Sequence, residues 1–88
     1  MARIIRTTGA IEEVTPQNGT DFQLPELNKI VGGYIEIVQT TTGEIMVCNE
    51  DGHALGLKFN SLASHLYPGF PPYPVLGDVL VCNRDQID

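Results

Sequence analysis

The sequence predicts an α+β fold, in which a small mixed or antiparallel sheet of about five strands packs against two short helices. Alternating apolar runs over residues 34–59 are separated by Thr42-Gly43 and Asp51-Gly52. Glycine tolerates the positive φ of hairpin turns, so this segment predicts a β-meander. Two other segments have helical spacing of apolar residues. The length of 88 residues predicts a single domain over 1–88.

The first two strands are predicted over 3–7 and 11–14, continuous or paired across Gly9. A loop rich in turn formers follows at 15–23. Pro25 suits the first turn of a helix, so a helix is predicted over 25–31 with Gly32 as its C-terminal cap. Its helically spaced stripe is expected to be buried. The stripe comprises Leu24, Leu27, Ile30, Val31 and Tyr34.

The meander is predicted as strands 34–40, 44–49 and 53–59. Leu55, Leu57 and Phe59 alternate with smaller or polar residues, which predicts one buried face for the third strand. Asn60 is a good N-cap for a second helix over 60–67.

The segment 68–74 holds four prolines and two aromatic residues, Phe70 and Tyr73, and predicts an extended or turn-rich loop. It is either a partner-binding loop or a rigid strap over a thin core. The last strand is predicted at 78–82, and 84–88 is predicted to be a polar, frayed tail.

The amino-acid composition disfavours several classes of function. The net charge is −6, and the five basic residues are scattered, which disfavours binding to duplex nucleic acid. No apolar stretch reaches the roughly 20 residues of a membrane helix. Two cysteines without a signal peptide predict a cytoplasmic protein with free thiols. Such a small core favours self-association, so a homo-oligomer is expected.

Catalytic and metal chemistry have little support. Cys48, His53, His65 and Cys82 lack the spacing of a compact zinc site. The acidic run after Cys48 is expected to raise the pKa of its thiol, which disfavours a nucleophile. The chain has no phosphate loop, nucleophile elbow or dinucleotide fingerprint. We therefore predict a protein that is not an enzyme and uses no cofactor.

Three motifs resemble those of a family of small domains of unknown function. They are Val31-Gly32-Gly33-Tyr34-Ile35-Glu36, then Asn49-Glu50-Asp51-Gly52, then Leu55-Gly56-Leu57 with Asn60. The order of elements agrees over 3–82, although Phe59 stands where the family usually has proline. The resemblance implies a small accessory protein of bacteriophages, plasmids or Gram-positive genomes, and it brings no established catalytic residues.

In that setting we expect a non-catalytic protein that takes over a host factor or counters host defence in the host cytoplasm. One version sequesters a signalling nucleotide between subunits, with Lys58, Arg3 and Arg6 on its phosphates. The predicted ligand-binding residues are Tyr34, Glu36, Asn49, Lys58, Asn60 and Phe70. Glu36 either faces a ligand, pairs with Lys58 or Arg3, or lies on a solvent-facing edge.

The alternative partner is a host protein. In this version the carboxylates bind a basic host surface and inhibit the protein that carries it. The residues concerned are Glu12, Glu13, Glu50 and Asp51. A small enzyme is the third and least supported hypothesis.

Overall fold

Five antiparallel strands form one sheet, and one helix lies on each of its faces. The computed structural model describes residues 2–87. The elements are β1 (Ala2–Ile5), β2 (Ile11–Val14), α1 (Leu24–Val31), β3 (Ile35–Gln39), β4 (Ile45–Asn49), α2 (Ser61–Leu66) and β5 (Val79–Cys82). The strand order is β2-β1-β5-β4-β3, and every pair is antiparallel. The predicted α+β class, with about five strands and two helices, is confirmed.

The sheet divides the core into two apolar layers. Leu27 and Val31 of α1 pack with Ile4, Val47 and Leu80 on one face. On the other face, Ala63 of α2 packs with a second set of apolar residues: Ile5, Met46, Val75, Val79 and Val81. The central strands β4 and β5 are therefore buried on both faces, as strands in the middle of a three-layer arrangement must be. We call the α2 side the distal face.

Both helices form where the sequence predicts them. Pro25 lies in the first turn of α1, and Gly32 ends the helix in the left-handed region at φ 79°. The predicted buried stripe is wrong at its two ends, because Leu24 and Tyr34 are 57% and 72% exposed. The chain reverses at Gly32, so Tyr34 lies beyond the helix and does not continue its stripe.

The predicted third strand of the meander is wrong. Residues 51–56 form successive turns, in which the Leu55 N–H donates to the Asp51 carbonyl and the Leu57 N–H to the Gly52 carbonyl. Leu55 is 58% exposed. The side of β4 that does not pair with β3 pairs with β5, whose four residues are all buried. A strand that buries both of its faces gains more apolar contact than one that alternates.

The C-terminal segment is ordered as far as the structure describes it. Arg84–Gln86 forms a 3₁₀ turn, and the Phe22 N–H donates to the Gln86 carbonyl at 2.6 Å. Ile87 packs against the α1 side of the core. The tail predicted to fray is therefore held in place up to Ile87, and Asp88 lies outside the described residues. Within 2–87, no helix has both the length and the apolarity to cross a bilayer.

Candidate functional site

A cleft of about 230 Å³ opens on the distal face, between β3 and the proline-rich segment 67–76. Glu36 and Val38 of β3 and Cys48 of β4 contribute to its lining. The rest of the lining comes from the last residue of β4, the turn after it and the segment 67–76: Asn49, Glu50, Gly52, His53, Tyr67, Tyr73, Pro74, Val75 and Leu76. The volume lies below the ~300–1,000 Å³ of typical small-molecule pockets, so it suits one side chain or a comparably small group.

The lining of this cleft is acidic and aromatic. Glu36 and Glu50 contribute carboxylates, and both residues are exposed. Tyr67 and Tyr73 contribute aromatic residues from the proline-rich segment. Among the described residues that line the cleft there is no lysine or arginine. The cleft therefore presents a negative potential next to aromatic surface, which favours cationic groups.

Cys48 and Cys82 are buried, free thiols. Burial raises the pKa of Cys48 to about 12, with a further contribution from the negative charge of Glu36. Burial likewise raises the pKa of Cys82 to about 11. The expected direction is confirmed for Cys48, but burial and Glu36 cause it rather than the acidic residues that follow in sequence. The two thiols lie on opposite faces of the sheet, so they cannot share a ligand.

Two predicted site residues, Asn49 and Asn60, use their side chains inside the protein. Asn49 Nδ2 donates to the Val31 carbonyl at 3.0 Å, and its Oδ1 accepts from the Asp51 N–H at 2.8 Å. Asn60 Nδ2 donates to the carbonyls of Ile5 and Gly77, both at 2.9 Å. These amides join helices, turns and strands, and Asn49 reaches the cleft only as part of its wall.

Asn60 has a further role at α2. Its Oδ1 accepts from the Ala63 N–H at 3.1 Å, so it caps the helix as the sequence predicts. With its three hydrogen bonds and 1% exposure, the side chain is fully occupied by the protein. This amide has little capacity left for a ligand.

The remaining predicted site residues are dispersed. Tyr34 is exposed immediately before β3 and does not line the cleft. Lys58 is exposed, and its carbonyl accepts from the Gly77 N–H. Phe70 packs its ring against Phe59 and His65, with centroids 5.7 and 5.5 Å away. The structure therefore brings only Glu36 and Asn49 of the predicted set to the cleft.

The arginines have partners within the chain. Arg3 pairs with Glu44 at 3.1 Å across the distal face, and Arg6 pairs with Glu12 at 2.7 Å and Asp78 at 2.9 Å. Because Arg3 pairs with Glu44, it is not the partner of Glu36. Of the alternatives for Glu36, the structure shows a side chain exposed on the edge strand β3.

Sequence reasoning missed Tyr67 and His53 as neighbours of Glu36. The sequence predicts Tyr67 as the last residue of the second helix and His53 as the first residue of a strand. Tyr73 belongs to the loop that the sequence marked as a candidate for partner binding. The signal for it was the combination of proline and aromatic residues in 68–74.

The family model described as a domain of unknown function (DUF3846) matches residues 2–88, so the chain belongs to that family. No curated protein and no solved structure matches the chain.

Proposed function

We propose that this member of the DUF3846 family is a non-catalytic binding protein that captures a basic segment of another protein. The observation that carries the proposal is the cleft itself, which is lined by Glu36 and Glu50 together with Tyr67 and Tyr73. Its partner would place a lysine or arginine side chain there. The net charge of −6 would attract such a segment from a distance.

The cleft suits the two chemical parts of a basic side chain. The aliphatic stem of lysine or arginine can lie along Val38 and Leu76, because long basic side chains cover apolar surface with their stems. The cationic head then meets the carboxylates and tyrosine rings. An exposed ion pair contributes ~0.2–1 kcal/mol and a cation–π contact ~0.5–1 kcal/mol. This cleft therefore selects one side chain, and tight binding needs further contacts.

We further propose that the chain acts in the cytoplasm of a host cell on behalf of a phage or another mobile element, as an inhibitor of a host protein. The support is the resemblance carried by the motifs at 31–36 and 49–52, together with the acidic charge. In this proposal Glu36 and Glu50 are the partner-binding carboxylates of the cleft. Glu12 and Glu13 are not, because they lie on β2 at the opposite edge of the sheet, and Glu12 already pairs with Arg6.

Sequestration of a signalling nucleotide stays a prediction. Within one chain, Arg3 and Arg6 have carboxylate partners and the amides of Asn49 and Asn60 are bonded to backbone. The protein-binding version thus has the better geometric support. If the nucleotide version holds, Lys58→Glu should abolish the thermal stabilisation caused by a panel of cyclic oligonucleotides, and it should leave peptide binding unchanged.

The test of protein capture uses labelled peptides of seven residues, with alternating threonine and valine around one central residue. That residue is lysine, its neutral analogue norleucine, or glutamate. Fluorescence polarisation should show tightest binding with lysine, several-fold weaker binding with norleucine and weakest binding with glutamate. Equal binding of the three peptides would contradict the proposal.

Matched variants locate the effect on the protein. Glu36→Gln should reduce the preference for lysine over norleucine by about fivefold, since it removes one carboxylate from the cleft. Glu13→Gln removes the same charge from the opposite edge strand β2 and should leave the preference unchanged. A similar loss in both variants would mean that only net charge matters and that the cleft is not the site.

A further inference from the structure

The strand β3 is one edge of the sheet, and its hydrogen-bonding pattern shows which backbone groups face outwards. The Glu50 N–H donates to the Tyr34 carbonyl and the Thr40 N–H to the Glu44 carbonyl. Hydrogen-bonded pairs alternate along an antiparallel ladder, so Glu36 and Val38 also bond to β4. The N–H and C=O groups of Ile35, Ile37 and Gln39 therefore point away from the sheet.

This edge has little protection. Sheet edges are usually guarded by charges, proline or bulges, because their unpaired backbone groups attract other strands. The only charged residue within β3 is Glu36, and Ile37 is 43% exposed. At the C-terminal end of the strand, Arg84 Nη2 donates to Gln39 Oε1 at 2.6 Å. Within the described chain, β3 pairs with no strand but β4. By contrast, β2 at the other edge carries two adjacent carboxylates, Glu12 and Glu13.

We propose that a basic, extended segment of the partner protein adds to β3 as a further antiparallel strand. The inference rests on the proposed function, and it assigns the partner's backbone to the β3 edge. Glu36 bonds to β4, so the residue facing it on the added strand belongs to a non-hydrogen-bonded pair, in which side chains approach most closely. A lysine or arginine there lies on the distal face and reaches over β3 into the cleft.

Charge complementarity favours a basic segment over a second copy of this chain at the β3 edge. The strand next to the added segment contributes Glu36, and Glu50 lies beyond it in the same cleft. A second copy of this chain would bring its own net charge of −6 to the edge, and the cation beside its β3, Arg84, is bonded to Gln39 rather than placed opposite Glu36. A basic segment is attracted where a second copy is repelled, so the edge suits a basic strand better.

Backbone methylation of the lysine peptide tests the geometry without altering the protein. The lysine's own N–H points away from β3, whereas the N–H groups of its two neighbours point towards it. N-methylation of either neighbour should weaken binding about tenfold or more, and methylation of the lysine should change binding only two- to threefold. Equal effects at the three positions would overturn the added strand.

A pair of proline variants tests the same edge on the protein. Ile37→Pro removes an outward N–H and leaves the ladder with β4 intact, so the fold should persist. Glu13→Pro is the matched control, because the N–H of Glu13 points outwards from β2: the neighbouring ladder bond joins the Arg6 N–H to the Ala10 carbonyl. Peptide binding should be lost with Ile37→Pro and retained with Glu13→Pro. Retention in both folded variants would overturn the inference.

The outcomes separate the two proposals. A lysine preference without position-dependent methylation would keep the cleft and overturn the added strand. Position-dependent methylation without a lysine preference would overturn the cleft as a cation site. Sedimentation equilibrium tests the other possible occupant of the β3 edge, a second copy of this chain. A dimer that Ile37→Pro converts to monomer, with no peptide bound, would assign the edge to a second copy and overturn the inference.

Discussion

Four predicted site residues between 36 and 60 divide into two groups that differ in burial. Asn49 and Asn60 are buried and bonded to backbone, whereas Glu36 and Lys58 are exposed. All four stand near turns and strand ends, and the sequence predicts all four as ligand-binding residues. The difference teaches that residue type and position near a turn do not separate a structural polar group from an available one.

The physical cause is the cost of desolvation. A neutral amide carries both donors and an acceptor, so backbone groups can satisfy it in the interior. Burial of a carboxylate or an ammonium group costs far more solvation free energy than burial of an amide. Such a group therefore remains at the surface unless it has a close partner. Burial therefore selects Asn49 and Asn60 for structure, and it leaves Glu36 accessible to a ligand. The following changes test that division, beginning with the largest effect.

Asn60→Ala should cause the largest loss of stability. The change removes the cap of α2 and both bonds to the Ile5 and Gly77 carbonyls, for a loss of about 3 kcal/mol in the free energy of unfolding. Urea denaturation measures it. Asn60→Ser keeps a capping oxygen and should recover about 1 kcal/mol. If Asn60→Ala lowered the free energy of unfolding by no more than the ~0.5 kcal/mol usual for a surface substitution, the structural role would be contradicted.

Asn49→Ala should cost about 2 kcal/mol, because two hydrogen bonds are lost at a buried position. Gly33→Ala offers an independent probe of the same contact. Its new Cβ would lie 3.0 Å from Asn49 Nδ2 and would displace the amide. In denaturation experiments, the double variant should lose less free energy of unfolding than the sum of the losses in the two single variants. Full additivity would show that Asn49 and Gly33 act separately.

The buried Cys48 beneath the cleft should make the protein less stable in alkali. Its folded pKa is raised to about 12 from 9.0, so the unfolded state loses the proton first. The stabilising effect is therefore complete below pH 9 and is lost as the pH rises from 9 towards 12. At pH 10 the loss is about 1 kcal/mol. Comparison with Cys48→Ala across this range isolates the thiol, and identical pH profiles would refute the assignment.

Glu36→Gln should have the smallest effect on stability, within about 0.5 kcal/mol, because the side chain is exposed. The same variant should change peptide selectivity, as described for the cleft. This contrast with Asn60→Ala is the sharpest form of the comparison. A destabilisation of Glu36→Gln similar to that of Asn49→Ala would place Glu36 in the structural group.

Local signals predict much of this fold. Pro25 and Gly32 bound α1, Asn60 caps α2, and Gly43 forms the β3–β4 turn at φ 92°. Each depends on the conformational preference of one residue and its near neighbours. The candidate site was less predictable. The sequence predicts Glu36 as a site residue, but Tyr67 and His53 reach the cleft only through the packing of distant segments.

The segments 53–59 and 79–82 show why local signals fail. The first has the clearer alternation, yet it forms turns up to Gly56 and a single bridge from Phe59 to Leu76, while Val79–Cys82 occupies the place beside β4. A strand needs a partner with free backbone groups, and only one segment can pair with that side of β4. The continuously apolar segment takes it because β5 is covered on both faces.

The sequence by itself determined the class of fold, both helices, the β3–β4 hairpin and the acidic charge, because these follow from residue preferences and composition. Tertiary structure alone decided the strand order, the burial of Asn49 and Asn60, and the cleft beside the open edge of β3. Those features depend on which segments compete for the same sheet positions and for the same buried volume. Such competition joins residues far apart in the chain, and no local pattern records its result.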